Sequence, residues 1–211
     1  MIRIAIADDH ALIRAGLKEI LAARPNIQVI EATNGQELIK KINSLDIHVA
    51  ILDISMPGRN GLETLKEIRV AHPKLPVLIL SVYPEDQYAI RALKAGAAGY
   101  LTKDSAPEML LSAIDKLLKG EKFISPNLAH KLISELDDTN KNKLPHEQLS
   151  DREFEVLKQI GSGLSVSEIA NVLFLSPKTI STYRTRILQK TGLKNNADLI
   201  HYVIEYDLLS R

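Results

Sequence analysis

Val49-Ala50-Ile51-Leu52-Asp53-Ile54-Ser55-Met56-Pro57-Gly58 is the stretch that decides the fold. Its opening run is apolar with no polar alternation, which is what a strand buried on both faces of a parallel sheet requires. Pro57-Gly58 then reads as the turn that leaves the strand. Asp53 thereby falls at the carboxyl end of a central strand, where ligands bind in open α/β sheets. Further runs end in polar residues in the same way. Residues 2–7 lead into Asp8-Asp9, Val77-Leu78-Ile79-Leu80 into Ser81, and Gly99-Tyr100-Leu101-Thr102 into Lys103.

Working outward, strand-like runs at 2–7, 28–32, 48–53, 77–81 and 99–102 alternate with helical patterns at 11–23, 35–44, 61–71, 86–95 and 107–119. Such alternation predicts a doubly wound, flavodoxin-like α/β domain: a five-stranded parallel sheet, right-handed crossovers, and helices on both faces. Asn34-Gly35 and Gly58-Arg59-Asn60-Gly61 read as turns, and Pro107 as a first-turn proline.

Gly120 closes this domain. Ser125-Pro126 opens a short amphipathic helix with Leu128, Leu132, Ile133 and Leu136 at helical spacing, and the polar stretch 137–145 reads as a flexible linker. From Leu149 onward every segment reads as helix. Ser150-Asp-Arg-Glu153 and Ser165-Val-Ser-Glu168 are capping boxes, the first opening a helix to about Ile160, the second opening 169–173. Gly161-Ser-Gly163 stops the first. Ser176-Pro177 opens a helix to about Thr191, which Gly192 ends. Asn195 or Asn196 caps a last helix reaching about Leu209. The expected layout is an α/β domain over 1–120, a linker with a short helix over 121–146, and a four-helix, all-α helix-turn-helix domain over 147–211.

Bulk properties narrow the class. The 211 residues are 45% apolar and 25% charged, an ordinary globular composition, with no cysteine. Disulfides and thiolate metal sites are therefore excluded. No apolar stretch has the length of a membrane span, and the first residues enter a strand without signal-peptide shape, which fits a cytoplasmic location. Net charge is +1, yet 169–197 holds no acid while Lys178, Arg184, Arg186, Lys190 and Lys194 all fall there. The basic charge is local.

Asp8, Asp9 and Asp53 together make an oxygen-rich site of the kind that hard divalent cations take. With a metal and Lys103 neutralising charge, the Asp53 carboxylate can attack a phosphoryl group, giving an aspartyl phosphate. Ser81 can donate a hydrogen bond to a phosphate oxygen. Taken singly, each residue also has an ordinary reading: Asp8-Asp9 as a helix cap, Asp53 and Ser81 as turn residues, Lys103 as a solvated amine.

Asp8-Asp9, Leu52-Asp53-Ile54-Ser55-Met56-Pro57-Gly58, Ser81, Tyr100 and Lys103 give residues 1–120 a resemblance to the receiver domain of two-component response regulators. That resemblance implies phosphorylation of Asp53 by a sensor histidine kinase. It implies Mg2+ (or Mn2+) bound by Asp9, Asp53 and the Ser55 carbonyl, with Asp8 helping through water. Ser81 and Tyr100 would be the switch pair, the hydroxyl moving toward the phosphate and the ring rotating inward. Asp104 departs from the pattern, since many receivers carry proline after the lysine.

At about 100° per residue, the helix over 177–191 places Ile180, Arg184, Ile187, Leu188 and Thr191 on one side. Lys178, Ser181, Thr182, Thr185 and Gln189 face the other way, flanked by Tyr183, Arg186 and Lys190. A hydroxyl-rich face bordered by cations suits the DNA major groove, the cations on phosphates and the hydroxyls at base edges. Residues 147–211 resemble the LuxR/NarL-type helix-turn-helix in Leu149-Ser150-Asp151-Arg152-Glu153, Ser167-Glu168-Ile169-Ala170, Ser176-Pro177-Lys178-Thr179-Ile180 and Lys190-Thr191-Gly192-Leu193. The resemblance implies a recognition helix with DNA contacts from Lys178, Thr179, Ser181, Thr182, Tyr183, Thr185, Arg186 and Lys190. Ser181, Thr182 and Thr185 are short, so shape readout would share the work. In the last helix Leu199, Tyr202, Tyr206 and Leu209 form a second apolar stripe, expected as a dimer contact because two-fold proteins match paired half-sites.

The combined expectation is a phosphorylation-controlled, double-stranded-DNA-binding transcription regulator, a homodimer when active, in contact with RNA polymerase. It would not be an enzyme beyond its own phosphorylation and dephosphorylation. Two alternatives stay open on these residues: a phosphatase or phosphotransferase using Asp53 on a small substrate, and a protein-interaction module with a basic helix.

Overall fold

Each apolar run becomes a strand because its side chains are buried on both faces: β3 (Val49–Asp53) and β4 (Val77–Ser81) are buried at every position. With β1 (Ile2–Ala7), β2 (Ile27–Ala32) and β5 (Gly99–Thr102) they form one parallel sheet in the order β2-β1-β3-β4-β5. The computed structural model describes residues 1–126, 128–130, 132 and 144–209, and of Asp86 the backbone alone. Residues 126, 128–130 and 132 are helical, as the spacing after Pro126 predicts; Ile133, Leu136 and nearly all of the expected linker lie outside the described residues. The chain divides into two units, Met1–Leu136 and Asp137–Arg211.

In the first unit, α1 (Ala11–Ala22) and α5 (Ala106–Leu118) cover one face of the sheet. Leu17, Leu21, Leu110, Ile114 and Leu117 pack there on Ile4, Ile6, Val49, Ile51, Leu78 and Leu80. The alternate strand residues, including Ala5, Ala50, Leu52 and Ile79, are buried on the opposite face. There α2 (Gly35–Ser44), α3 (Gly61–Ala71) and α4 (Glu85–Lys94) pack. Asn34 and Asn60, read from sequence as turn residues, are helix N-caps: their side chains accept from the amides of Glu37 and Glu63 at 2.9 Å. Beyond α5 the chain returns to the sheet, where Phe123 is buried and bridges Gly99.

In the second unit, a 3-10 turn (Pro145–Gln148) precedes α6 (Asp151–Gly161), α7 (Val166–Val172), α8 (Pro177–Thr191) and α9 (Asn196–Glu205). Both capping boxes form, around Ser150 and Ser165. The second opens its helix at Val166 rather than Ile169, because the residue after a cap is already helical. Gly161 belongs to α6 instead of stopping it. A Cβ at Gly161 would stand 2.3 Å from Val203 Cγ1, so glycine is what lets α6 and α9 touch. The stop lies at Gly163, whose φ is +85°. Asn195 caps α9, and α9 ends at Glu205, short of the expected Leu209, since Asp207 turns left-handed at φ 48°.

Candidate functional site

Parallel pairing sets the carboxyl ends of β1, β3, β4 and β5 side by side, with Asp53 opposite Leu80 and Ser81 opposite Thr102. β1 and β3 flank the point where strand order reverses, the position at which such sheets bind ligands. Asp8 and Asp53 are each 1% exposed. Between them sits the Lys103 ammonium, 2.7 Å from Asp8 Oδ2 and 2.9 Å from Asp53 Oδ2. Asp53 Oδ1 is buried without a hydrogen-bond partner.

The electrostatics follow from that burial. Desolvation lifts the Asp53 carboxyl most, the Asp8 charge adds to the lift, and Lys103 with the Ser55 amide oppose it; the result is pushed up to about 6. For Lys103, burial works against the charge, but Asp53 and Asp8 carry the ammonium above the ordinary lysine value. Ligand atoms of Asp8, Asp9, His10 and Asp53 lie within 4.8 Å of one another. Three carboxylates, each with a buried oxygen that accepts no hydrogen bond, fit a hard cation that keeps part of its water shell. Ser55, expected to offer its carbonyl, follows Asp53 by two residues and keeps its hydroxyl buried without a partner.

Ser81 and Tyr100 meet through Tyr83, which sequence reading passed over. Ser81 Oγ accepts from the Tyr83 amide at 3.1 Å, and Tyr100 Oη donates to the Tyr83 carbonyl at 2.7 Å. The Tyr100 hydroxyl also contacts Ser81, and burial holds its pKa well above the usual phenol range. The ring is fully buried. Among the described residues there is no cis peptide bond, so the Lys103-Asp104 bond is trans.

His10 and Gly61 were also missed. His10 Nδ1 lies 2.9 Å from Asp9 Oδ1 and 3.2 Å from Asp8 Oδ1; its place directly after the acid pair was the available signal. Gly61 looked like a turn glycine, but it starts α3 against the backbone of Asp53. Its amide donates to the Ile54 carbonyl at 2.8 Å, and a Cβ there would stand 2.0 Å from the Asp53 carbonyl oxygen. Gly61→Ala is therefore expected to cost about 3 kcal/mol, as overpacking against backbone does. It should also slow phosphoryl uptake at Asp53; urea denaturation and intact-mass kinetics read the two effects.

On α8 the exposed face carries Lys178, Ser181, Thr182, Thr185, Arg186 and Gln189, with Thr179 and Tyr183 half-buried. Ile180 and Ile187 point into the domain. Among the described residues no carboxylate pairs with Lys178 or Arg186. Lys190, expected at phosphates, is 41% exposed and pairs with a buried carboxylate: its ammonium is 2.6 Å from Glu153, itself 3% exposed. Burial raises the Glu153 carboxyl, but Lys190 and Ser150 outweigh it and hold the group below the usual range. Arg184 is likewise engaged, bonded to Asn196.

The expected dimer stripe on α9 does not stand as a surface. Leu199 is 0% and Tyr202 7% exposed, because residues 199, 202 and 203 fall on one helical face and that face fills the core. Tyr206 is 38% exposed, Leu209 is half-buried, and the large exposed apolar residue of this helix is Ile204 at 65%.

The pattern of the response regulator receiver domain matches residues 4–115, and that of bacterial regulatory proteins of the luxR family matches residues 147–203. Over 209 residues the chain is 34% identical to the response regulator UvrY of Escherichia coli (strain K12), covering 99% of this chain and 96% of that one. It is 36% identical to the oxygen regulatory protein NreC of Staphylococcus carnosus, over 98% of this chain and 99% of the relative. Among solved structures it is similar to RcsB from Salmonella enterica serovar Typhimurium bound to promoter rprA in the presence of phosphomimetic BeF3-. The TM-score is 0.64 and the identity 29%, covering 96% of this chain and 98% of that one.

Proposed function

The chain belongs to the two-component response regulators that join a receiver domain to a LuxR-type DNA-binding domain, and on that premise we propose that Asp53 is its phosphoacceptor and α8 its recognition helix. Members of this family regulate transcription by binding DNA and are not conventional enzymes, which removes the small-substrate phosphatase and the protein-interaction module as readings. The observation that carries the assignment of Asp53 is its unpartnered Oδ1, buried beside a lysine-bound Oδ2.

In the proposed step an Asp53 oxygen bonds to phosphorus as the phosphorus–nitrogen bond of a kinase phosphohistidine breaks. The imidazole keeps the electron pair and takes up a proton. Mg2+ held by Asp9, Asp53 and the Ser55 carbonyl, with Asp8 outside, would offset the charge of the phosphoryl oxygens. Lys103 stays beside Asp53 as a second fixed charge, and burial keeps water from competing. Ser81 then rotates its side chain to donate to a phosphoryl oxygen, which carries Oγ away from the Tyr83 amide it accepts from. That weakens its hold on Tyr83, and Tyr100 follows Tyr83, so the β4–α4 segment carries the signal.

The active form is proposed to be a homodimer on paired half-sites, with the exposed Ile204 of α9 and Tyr206 and Leu209 just beyond its end as contact candidates, acting in the cytoplasm on promoters read by RNA polymerase. The working boundaries are a receiver over 1–120, a linker over 121–146 and the DNA-binding domain over 147–211. Incubation with a small-molecule phosphodonor and Mg2+ should add one base-labile phosphoryl group by intact-mass spectrometry; no adduct, or an adduct elsewhere, would overturn the assignment.

A second expected result separates the cations of α8. Lys178→Ala and Arg186→Ala should each lower the slope of log affinity against log salt by about 1, the signature of one phosphate left without its cation. Lys190→Ala should leave that slope nearly unchanged while lowering domain stability, because its charge is already spent on Glu153.

A further inference from the structure

The two threonines at the centre of the α8 face do not present hydroxyl donors. Thr182 Oγ1 donates to the Lys178 carbonyl at 3.0 Å, and Thr185 Oγ1 donates to the Ser181 carbonyl at 3.0 Å. Each is bonded four residues back along its own helix, a common use of a helical threonine hydroxyl. With its only proton spent, such a hydroxyl offers the groove acceptor lone pairs alone. The bond also fixes the side-chain rotamer, so the Cγ2 methyl is the part of each threonine left for other contacts. Both residues are exposed, and as neighbours three apart they share a face of the helix.

Base edges in the major groove answer differently to that chemistry. Guanine shows only acceptors, N7 and O6, and would meet an acceptor with no donor between them; thymine shows the C5 methyl, a direct partner for a threonine methyl. We infer that Thr182 and Thr185 read DNA through their methyl groups, selecting thymine by its C5 methyl and disfavouring guanine at the positions they face. Donor-dependent readout then falls to the neighbours that keep free protons among the described residues, the Ser181 hydroxyl and the Gln189 amide, while the Lys178 ammonium stays with its phosphate. This rests on α8 being the recognition helix, and it replaces the expectation that all three central hydroxyls meet base edges.

The test uses the full-length protein treated with a small-molecule phosphodonor. A random duplex pool is selected for binding, and the enriched duplex is resynthesised with deoxyuridine in place of thymidine, which removes only the C5 methyl. Wild type is expected to bind the thymine duplex about fourfold more tightly for each thymine methyl that a threonine covers, the factor for burying one such group. The double variant Thr182→Ser/Thr185→Ser keeps both hydroxyls and loses both methyls; its preference for thymine over uracil should collapse toward one. Thr182→Val/Thr185→Val keeps the methyls and loses the hydroxyls, and it should retain the preference. If wild type binds both duplexes equally, the inference is wrong. It is equally wrong if the serine variant keeps the wild-type ratio, which would make that ratio a property of the DNA, or if the valine variant loses it. Absence of salt-steep binding to any duplex would instead sink the recognition-helix reading, and this inference with it.

Discussion

Replacing Asp53 by asparagine is expected to give a protein that can no longer be switched yet is harder to unfold. The amide has no nucleophilic carboxylate oxygen, so phosphodonor-dependent change in DNA binding should vanish. Stability moves the other way because the wild-type carboxylate is ionised against its surroundings. Its carboxyl is pushed from 3.8 to about 6, by burial first and then by Asp8, with Lys103 only partly compensating. The folded value lies above the unfolded one, so the native state holds more protons between about pH 4 and pH 6. Stability from this group is therefore fully present below about pH 4 and lost as pH rises through 6. At pH 7 the ionised group costs roughly 1–3 kcal/mol, which asparagine removes. Urea denaturation without divalent cation should show that gain at pH 7 and a smaller one at pH 5. An Asp53→Asn protein that is less stable than wild type at pH 7, or that still answers phosphodonor, would contradict the site as described. Activity and stability trade against each other at this position, as strained functional sites predict.

The sheet was legible because parallel strands declare themselves. Runs such as Val77-Leu78-Ile79-Leu80 have no polar face to show, and the polar residue that ends each run marks the edge where the site lies. What the sequence hid is distance across the fold. Lys190 stands in an acid-free stretch of 29 residues and reads as a DNA cation, yet its partner Glu153 lies 37 residues earlier on another helix. Nothing local reports such a pairing. The same limit explains α9, where a reading in two stripes sets Leu199 and Tyr202 apart from Val203, and packing against α6 at Gly161 buries all three on one face.

Hydrogen-bond direction was hidden in another way. A threonine in a helix reads as a hydroxyl-bearing residue, but backbone carbonyls one turn earlier are the nearest acceptors, and both Thr182 and Thr185 use them. Gly61 shows how much a turn signal can conceal: the sequence offers a reason for glycine in flexibility, while the structure offers one in the approach of α3 to the Asp53 carbonyl. In the receiver unit, then, residue types announced the chemistry and the fold supplied its geometry. In the DNA-binding unit the fold changed which atoms are on offer.

Lys103→Met is expected to produce the opposite of Asp53→Asn, and the two together test whether the site is one electrostatic unit. Methionine keeps much of the bulk and removes the ammonium that lies within 2.9 Å of two buried carboxylates. Breaking a buried ion pair by deleting one partner costs about 3–5 kcal/mol, because the remaining charge is left desolvated and unpaired. Here two like charges remain, so the first proton to return should do so at higher pH than in wild type, and the loss should be smaller at pH 5 than at pH 7. Mg2+ should restore most of the stability at pH 7, since a divalent cation at Asp9 and Asp53 replaces the missing charge. In the double variant, Asp53→Asn should stabilise the Lys103→Met protein more than it stabilises wild type. The two changes should then be non-additive by about 1–3 kcal/mol, as for groups in direct contact. Additive effects, or a Lys103→Met protein as stable as wild type at pH 7 without cation, would mean that the lysine is a bystander. The coupling would then have to be sought elsewhere along the edge of β5.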